Sequence, residues 1–314
     1  VAVLRGDWLT TGPSVDAFEA AISEVAGSYA TAVTSGTAAL HVAYKSAGIG
    51  LGDEIITPPI TFIATQATAM ALGAGIKFAD VQSDTGNIDP NAVESLITPR
   101  TKAVVAVDYA GHPAELDELR SISDRHGLIL IEDAAHSIGS LYRNRKVGAI
   151  ADLTTFSFFP TKNVTTGEGG AVASPSAQLT ERARAFRNHG LVRDRSLFQI
   201  QDEGPWHEEV HEFGLNYRLP DILAALGTSQ LRRLAQFKQR RTEITARYNE
   251  LLSGIQGLAT PVRREYVDPM WHLYPLRILG GRRIIKKKTL RSAGAGVQVN
   301  YIAAYSHPAS QAQG

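Results

Sequence analysis

Cysteine is absent from the 314 residues of the sequence. Its absence excludes a disulfide framework and thiolate zinc sites, and it fits a cytoplasmic location. An excess of charge of one sign is also missing, because 32 basic side chains stand against 31 acidic ones and give a net charge of +1. A chain without a strong overall field is expected to bind neither nucleic acid nor a membrane surface. No apolar run approaches the length of a membrane span, and no signal-peptide pattern is found.

Motifs that would indicate a nicotinamide dinucleotide or a metal are missing as well. The glycine-rich stretches at Gly48, Gly73 and Gly294 do not follow a strand and open a helix with a third glycine in place, so dinucleotide binding is unsupported. The nine histidines show no metal-ligand spacing, and HEEVH at 207–211 lacks the order of a zinc-protease motif. The basic run Arg282–Lys288 is interpreted as a solvated face. We therefore expect no metal site.

The most informative stretch contains two apolar runs that each end in a charged side chain. Leu128–Ile131 predicts a strand buried on both faces of a parallel sheet, and Glu132 and Asp133 stand at its carboxyl end. Thr154–Phe159 predicts a second strand, which is followed closely by Lys162. Open α/β sheets bind their ligands at the carboxyl ends of their strands. The acid and the lysine are therefore expected at one edge of the sheet.

This pairing is what chemistry on pyridoxal phosphate requires. A lysine amine forms a Schiff base with the aldehyde, and a carboxylate keeps a proton on the ring nitrogen so that the ring withdraws electrons. Taken singly, Asp133 is more often a helix cap and Lys162 a surface lysine. The two residues together with the motifs below favour the functional interpretation.

Two further features near predicted strand ends are compatible with such a cofactor. Thr34–Thr37 opens a helix with small and hydroxyl residues, which leave free N–H groups for an anion, although an ordinary N-cap explains them equally well. Phe62 follows a predicted strand at Asp53–Thr57. Its ring is placed to stack on a planar group, while core packing is the default for a lone phenylalanine.

The order of elements predicts an α/β fold with a mostly parallel sheet, because strands alternate with helices over the first two thirds of the chain. We assign a large domain to 1–220, a long bridging helix to 221–252 and a small α+β domain to 253–314. Within the last, strands are expected at His272–Ile278 and Gly296–Tyr301. The polar segment Arg193–Glu212 is interpreted as a loop over a site or an interface.

The sequence resembles a known family, the DegT/DnrJ/EryC1 sugar-nucleotide aminotransferases. The motifs that carry the resemblance occur in order along nearly the whole chain: SGTAALH, TPPITFIAT, EDAAHSIG, FSFFPTKNVTTGEGGAV, FRNHG, GLNYRLPDILAALG and WHLYPLR. Within the family, DEIITPPITFIAT, GNID, VDYAG and HLYP are similar to the transaminase of pseudaminic acid biosynthesis. The lysine motif with its GEGG tail is the most specific of these signals.

The resemblance implies the fold and a role for each matching residue. The fold would be that of type I PLP-dependent transferases, aspartate aminotransferase-like, with a seven-stranded sheet and a small C-terminal domain. Lys162 would bind the cofactor and move the proton, Asp133 would pair with the pyridine nitrogen, and His136 would lie near the ring hydroxyl. The other implied cofactor contacts are Ser35, Gly36, Thr37, Phe62, Ser157 and Asn216. The implied substrate contacts are Arg218, Tyr301 and His307.

The resemblance also implies a reaction and an assembly. L-glutamate would leave its amino group on the cofactor, giving pyridoxamine phosphate and 2-oxoglutarate, and a nucleotide-linked 4-keto-6-deoxy sugar would accept that group. The unit would be a homodimer with shared sites, to which Asn216 and Arg218 contribute. The alternatives are another nucleotide sugar, a PLP-dependent sugar dehydratase and a non-catalytic PLP-binding relative. The closest dehydratases carry histidine at the lysine position, so Lys162 argues against them.

Both ends of the chain depart from the family pattern. The sequence begins with Val1 rather than methionine and stops soon after VNYIAAYSHP. The native start is therefore expected to be missing, and the small domain is expected to be incomplete.

Overall fold

The computed structural model describes residues 1–192, 194–201, 203–281 and 283–311, without the side chains of Arg283 and Ile285. Parts of three predicted segments lie outside these residues. They are Arg193 and Asp202 in the predicted loop, the first residue of the basic run, and residues 312–314 of the predicted small domain.

The strands and helices follow the apolar runs and the breakers of the sequence. The strands are β1 (Tyr29–Val33), β2 (Glu54–Thr57), β3 (Gly75–Phe78), β4 (Thr101–Val107), β5 (Ile129–Asp133), β6 (Leu141–Tyr142), β7 (Arg145–Lys146), β8 (Leu153–Ser157), β9 (Gly170–Ser174), β10 (Leu191–Val192), β11 (Glu209–Val210), β12 (Leu258–Ala259), β13 (Val267–Asp268) and β14 (Arg277–Ile278). The helices are α1 (Pro13–Ala26), α2 (Gly36–Ser46), α3 (Ala64–Ala71), α4 (Pro90–Glu94), α5 (Leu116–His126), α6 (Ala177–Arg187), α7 (Asp221–Leu231), α8 (Leu234–Leu252), α9 (Arg283–Ser292) and α10 (Pro308–Gln311).

Seven of these strands form the central sheet, in the order β1-β9-β8-β5-β4-β2-β3. Neighbouring strands are parallel from β8 through β5, β4 and β2 to β3, whereas β9 is antiparallel to both β8 and β1. The predicted α/β fold with a mostly parallel, seven-stranded sheet is confirmed. The two strands that carry the acid and the lysine, β5 and β8, are direct neighbours in the sheet.

Helices cover both faces of this sheet, so its inner strands are buried on both sides. On one face, Val105 and Ile131 pack in a cluster with α2, and α3 and α6 join the same layer. On the other face, Val104 and Leu130 pack against α5. Side chains alternate between the faces along β5, so Asp133 follows Ile131 towards α2 and α3, and Glu132 follows Leu130 towards α5. This alternation decides which acid faces which layer.

The predicted single helix over 221–252 is wrong, because the structure divides it into α7 and α8. The break falls at Arg232 and Arg233, and Arg233 leaves helical geometry with φ −103° and ψ 3°. Helix α7 packs closely on α1, since a Cβ on Gly227 would lie 2.4 Å from the Phe18 ring. The helix that was expected to bridge two domains is therefore anchored at its start on the layer beside the sheet. The domain boundaries themselves stay predictions.

The strands expected in the last third of the chain are shorter than predicted. His272–Ile278 contributes β14 alone, which pairs with β12, and no strand forms over Gly296–Tyr301 within the described residues. A strand needs a hydrogen-bonded neighbour, and none of the described segments pairs with 296–301. In the chain between β12 and β14, strand β13 pairs with β6. That pairing holds the segment near 270 against the residues that follow β5.

Among the described helices, none combines the length and the apolarity that a membrane crossing requires.

Candidate active site

Asp133 ends β5 with its side chain buried and its acceptors partly filled. Its Oδ2 accepts a hydrogen bond of 2.7 Å from the Thr65 hydroxyl, and its Oδ1 accepts one of 3.3 Å from the Ala135 N–H. Burial raises the pKa of the Asp133 carboxyl, while Thr65, the positive charge of Lys162 and the Ala135 N–H oppose that rise. The carboxyl is thus held in place by α3 and positioned to meet a cationic or N–H partner.

Lys162 lies in a tight turn just beyond β8, where its N–H donates to the Phe159 carbonyl at 2.9 Å. The next residue fixes this turn, because the Asn163 amide donates to the carbonyls of His136 (2.7 Å) and Met270 (3.2 Å). Burial lowers the pKa of the Lys162 amine, and the charge of Asp133 works in the opposite direction. Among the described residues the amine has no hydrogen-bond acceptor. It is a nucleophile held beside an acid.

Two histidines and a tyrosine line the same site. The rings of His136 and His272 lie 4.3 Å apart between centroids, and His136 Nε2 lies 3.1 Å from the Tyr301 hydroxyl. Burial is the largest cause that lowers the pKa of His136 well below its usual value, and it lowers the pKa of His272 to about 3. Both imidazoles are therefore neutral, and their Nδ1 atoms are buried without a partner in the described part of the chain. Phe62 is 58% exposed, with its ring centroid 6.1 Å from that of Tyr301.

The start of α2 approaches two strand ends so closely that only glycine fits. A Cβ on Gly36 would lie 2.9 Å from Ser157 Oγ, and one on Gly170 would lie 2.3 Å from the Ser35 carbonyl oxygen. Ser35 caps the helix, because its Oγ accepts from the Ala38 N–H at 3.0 Å. The first two helical N–H groups have no acceptor within the described residues. The helix N-terminus and the Ser157 hydroxyl thus lie close together and offer donors of the kind that bind an anion.

The remaining predicted residues lie farther from the acid and the lysine. Asn216 is exposed, and its Oδ1 accepts from the Arg218 N–H at 3.4 Å. Arg218 donates to Asn188 Oδ1 at 2.7 Å, and its backbone forms a bridge with Val33 at the end of β1. The imidazole of His307 makes no hydrogen bond among the residues described. Of the three predicted substrate residues, the structure brings Tyr301 alone beside the histidines of the site.

Residues that the sequence interpretation did not select complete the geometry. Thr65 holds Asp133, and Thr61 in turn lies 2.7 Å from Thr65 between their hydroxyl oxygens. The signal was present in TPPITFIAT, where the two threonines are four residues apart at the start of a helix. His272 lies in the WHLYPLR motif, and its N–H donates to the Ala110 carbonyl at 2.8 Å.

These residues fit pyridoxal phosphate. The cofactor combines a pyridine nitrogen, an aldehyde, a ring hydroxyl and a phosphate, and the site offers a complementary group for each of them. The buried Nδ1 of His136, which has no partner among the described residues, is the observation that calls for a ligand, since buried polar groups are normally paired. Among the described residues, no group of three or more His, Asp or Glu side chains could hold a metal ion.

The chain belongs to the DegT/DnrJ/EryC1/StrS aminotransferase family, whose model matches residues 1–314. One curated relative is the spore coat polysaccharide biosynthesis protein SpsC of Bacillus subtilis. It is 38% identical over 316 residues, which cover 99% of this chain and 81% of that protein.

Two solved structures show the same fold, one of them in its PLP form. PseC of Helicobacter pylori, an aminotransferase involved in the biosynthesis of pseudoaminic acid, is 34% identical with a TM-score of 0.91, over 99% of this chain and 83% of its own. The PLP form of the putative sugar aminotransferase Spr1654 from Streptococcus pneumoniae is 28% identical with a TM-score of 0.91, over 100% of this chain and 83% of its own. The chain is therefore a PLP-dependent sugar aminotransferase.

Proposed function

We propose that the enzyme transfers the amino group of L-glutamate to a nucleotide-linked 4-keto-6-deoxy sugar, and that this sugar is UDP-linked in pseudaminic acid biosynthesis. The similarity to PseC and the motifs DEIITPPITFIAT, GNID, VDYAG and HLYP support the substrate. The single observation that carries the reaction is the placement of Lys162 and Asp133 at the ends of the neighbouring strands β8 and β5, where their charges act on each other. We place the enzyme in the cytoplasm.

Each pocket residue has a role in this proposal that follows from its surroundings. Asp133, oriented by Thr65, would hold the proton on the pyridine nitrogen. The neutral His136 would hydrogen-bond the ring oxygen through its unpartnered nitrogen, and Phe62 would stack on the ring. The phosphate would lie at the start of α2, held by Ser35, Gly36, Thr37 and Ser157. When bound, the cofactor supplies an electron sink for the carbon that loses its proton.

Lys162 would carry out the proton transfer. Because burial lowers its pKa, the amine is more readily neutral, and a neutral amine both attacks an aldehyde and accepts a proton. After displacement by the amino donor, the amine stays in the same turn. It is then held at a fixed distance from the carbon whose proton it moves.

We also propose that the active unit is a homodimer. Large apolar side chains are exposed next to the segment that carries two predicted site residues, Asn216 and Arg218. Trp206 is 74% exposed and Phe213 is 89% exposed. Other exposed apolar side chains of the region are Leu197, Ile200, Val210, Leu215, Ile222 and Leu226. An exposed patch of this kind marks an interaction surface. A second copy of the chain covering it would bring Asn216 and Arg218 towards the partner's cofactor and substrate.

The visible absorption spectrum tests the reaction. The protein loaded with pyridoxal phosphate is expected to show the band of the lysine-bound cofactor, which fades on addition of L-glutamate. Lys162→Ala is expected to lack that band, while Lys238→Ala, which removes a lysine that bonds the Gly139 carbonyl elsewhere, keeps it. A protein that shows no band would refute the enzyme assignment at this site. A band that glutamate leaves unchanged would refute the amino donor.

A sugar linked to another nucleotide is the second candidate substrate, and one observation supports it. SpsC is 38% identical and PseC 34%, so the similarity to a spore coat polysaccharide protein is at least as strong. The pyridoxamine form of the enzyme should be mixed with UDP-, dTDP- and GDP-linked 4-keto sugars in turn. Return of the lysine-bound band with the UDP sugar alone supports the proposed substrate. Return with another nucleotide alone would assign the enzyme to that sugar instead.

A further inference from the structure

A pair of acids, Asp108 and Glu132, lies beneath the cofactor site, on the opposite face of the sheet from Asp133. Asp108 follows the last residue of β4, and Glu132 precedes Asp133 in β5. Both side chains are 0% exposed. Glu132 is in register with Ala106 of β4 and Thr154 of β8, in the interior of the sheet.

The hydrogen bonds of the pair leave one position that a protein donor does not fill. Asp108 accepts from the Ala114 N–H at 3.0 Å and from the Ser137 hydroxyl at 2.5 Å. Glu132 accepts from the Thr154 hydroxyl at 3.0 Å through Oε2, while its Oε1 is buried without a donor in the described part of the chain. Glu132 is in register with Ala106, two residues before Asp108, so the two buried side chains lie close together on one side of the sheet. A hydrogen bond between two carboxyls requires that one of them keep its proton.

We infer that Asp108 and Glu132 share one proton, which Glu132 carries and donates to Asp108, and that this singly charged pair is the positioning element beneath Asp133. The charge count follows from burial. Two carboxylates in contact cannot both ionise away from water, so one keeps its proton. Burial raises the pKa of Glu132 well above its usual range, and it raises the pKa of Asp108 to about 6.

The pair reaches the cofactor site through two backbone connections. The Asp108 N–H donates to the Asp133 carbonyl at 3.1 Å, and Ser137, which donates to Asp108, closes a turn by its own N–H bond of 3.0 Å to Ala134. Asp108 therefore holds both ends of the segment that carries Asp133 and His136. A second negative charge on the pair would also repel the charge of Asp133 and raise its pKa, which the shared proton prevents.

Infrared spectroscopy of the protein without cofactor tests the proton directly. At neutral pH the wild type is expected to show the carbonyl stretch of a protonated carboxylic acid, which shifts in D₂O. Glu132→Gln is expected to abolish this band, because its amide replaces the protonated acid as donor to Asp108 and acceptor from Thr154. Glu54→Gln is the control, since Glu54 is also a buried glutamate but pairs with Arg100 instead of a second carboxyl. A folded wild type without the band would overturn the inference, even if Glu132→Gln does not fold.

The loaded enzyme tests the positioning role, which rests on the function proposed for Asp133 and Lys162. The visible band of the lysine-bound cofactor is titrated with pH. Glu132→Gln should leave the midpoint unchanged, because it removes no charge. Asp108→Asn should lower the midpoint by about half a unit to one unit, because it removes the negative charge of the pair. Equal shifts in both variants, or none in either, would overturn the inference. A protein without a visible band refutes the proposed function instead, and the infrared result still stands.

Discussion

Two partly buried pairs of a cation and a carboxylate lie beside the central sheet, and they are built differently. In the first, Arg187 contacts the carboxylate of Glu19 and donates to the Ala32 carbonyl at 2.7 Å, while Glu19 also accepts from the Ala32 N–H at 2.9 Å. In the second, Asp133 is anchored by hydrogen bonds but Lys162 has no acceptor among the described residues. We call Glu19 and Arg187 the closed pair, because both side chains have hydrogen-bond partners. We call Asp133 and Lys162 the open pair, because the lysine amine has no acceptor among the described residues.

The difference separates a structural pair from a functional one. Arginine stays charged and satisfies its planar fork with fixed acceptors, so it suits a link between α1, β1 and α6. Lysine loses its proton more readily when it is buried, so it suits a site that needs a neutral amine. An unsatisfied buried cation costs stability. At Lys162 the loss of stability accompanies a function, because the amine must be free to react.

The largest expected effect breaks the open pair. Lys162→Met keeps the bulk of the side chain and removes the amine, so transaminase activity should fall by at least about 10³-fold. The thermal midpoint of the cofactor-free protein should stay the same or rise, because a desolvated amine is removed. Activity assays measure the expected loss of transaminase activity, and calorimetry measures the thermal midpoint. Lower thermal stability together with lost activity would show that Lys162 also supports the fold.

The second prediction breaks the closed pair. Glu19→Gln leaves Arg187 buried without its counter-charge, so the free energy of unfolding should fall by about 3 kcal/mol. The activity of the folded protein at low temperature should be unchanged. Denaturant titration measures the loss. Glu181→Gln is the matched control, because Glu181 pairs with Arg184 on the surface and its loss should cost less than about 1 kcal/mol. Similar losses in both variants would contradict the distinction between the pairs.

The open pair was predictable from sequence because its signals are local. Continuous apolar runs located β5 and β8, and each charged side chain stands within a few residues of a strand end. The rule that ligands bind at the carboxyl ends of parallel strands then brought Asp133 and Lys162 together. In the structure, β5 and β8 are neighbours in the sheet.

The surroundings of the pair were not predictable in the same way. Thr65 precedes Asp133 by 68 residues, and His272 follows His136 by more than 100, so their contacts depend on helix placement and on the path of the chain after α8. The shared proton of Asp108 and Glu132 depends on strand register. The division of the long helix depends on close packing of α7 on α1, which the helical periodicity of the sequence does not encode.

The third prediction weakens the anchor of the acid. Thr65→Val removes a hydrogen bond that lowers the pKa of Asp133, so this pKa should rise and the acidic limb of the pH–rate profile should move to higher pH. Loss of a bond to a charged group predicts about a tenfold decrease in kcat/KM. Thr68→Val in the same helix is the control, because its hydroxyl bonds the Ala64 carbonyl at 2.7 Å. A limb that moves to lower pH would contradict the assigned sign.

The smallest expected effect concerns the neutral histidine beside the lysine. Tyr301→Phe removes the hydroxyl that lies 3.1 Å from His136 Nε2, and a lost neutral hydrogen bond of about 1 kcal/mol predicts about a fivefold decrease in kcat/KM. Because burial and the charge of Lys162 hold the pKa of His136 well below 6.5, no new limb should enter the pH–rate profile near that value. Tyr305→Phe, whose ring lies against Phe78 away from the histidines, is the control.

The pH–rate profile of Tyr301→Phe decides whether His136 and Tyr301 titrate together with Lys162 and Asp133. A fivefold loss without a new limb means that His136 stays neutral because of its burial and the neighbouring cation, and that Tyr301 only orients it. A limb near pH 6.5 in the variant would mean that the tyrosine hydroxyl, rather than burial, keeps the imidazole neutral. In that case, Lys162 and Asp133 would form one titrating unit with His136 and Tyr301. The contrast with the closed pair of Glu19 and Arg187 would then be one between a fixed link and a coupled network.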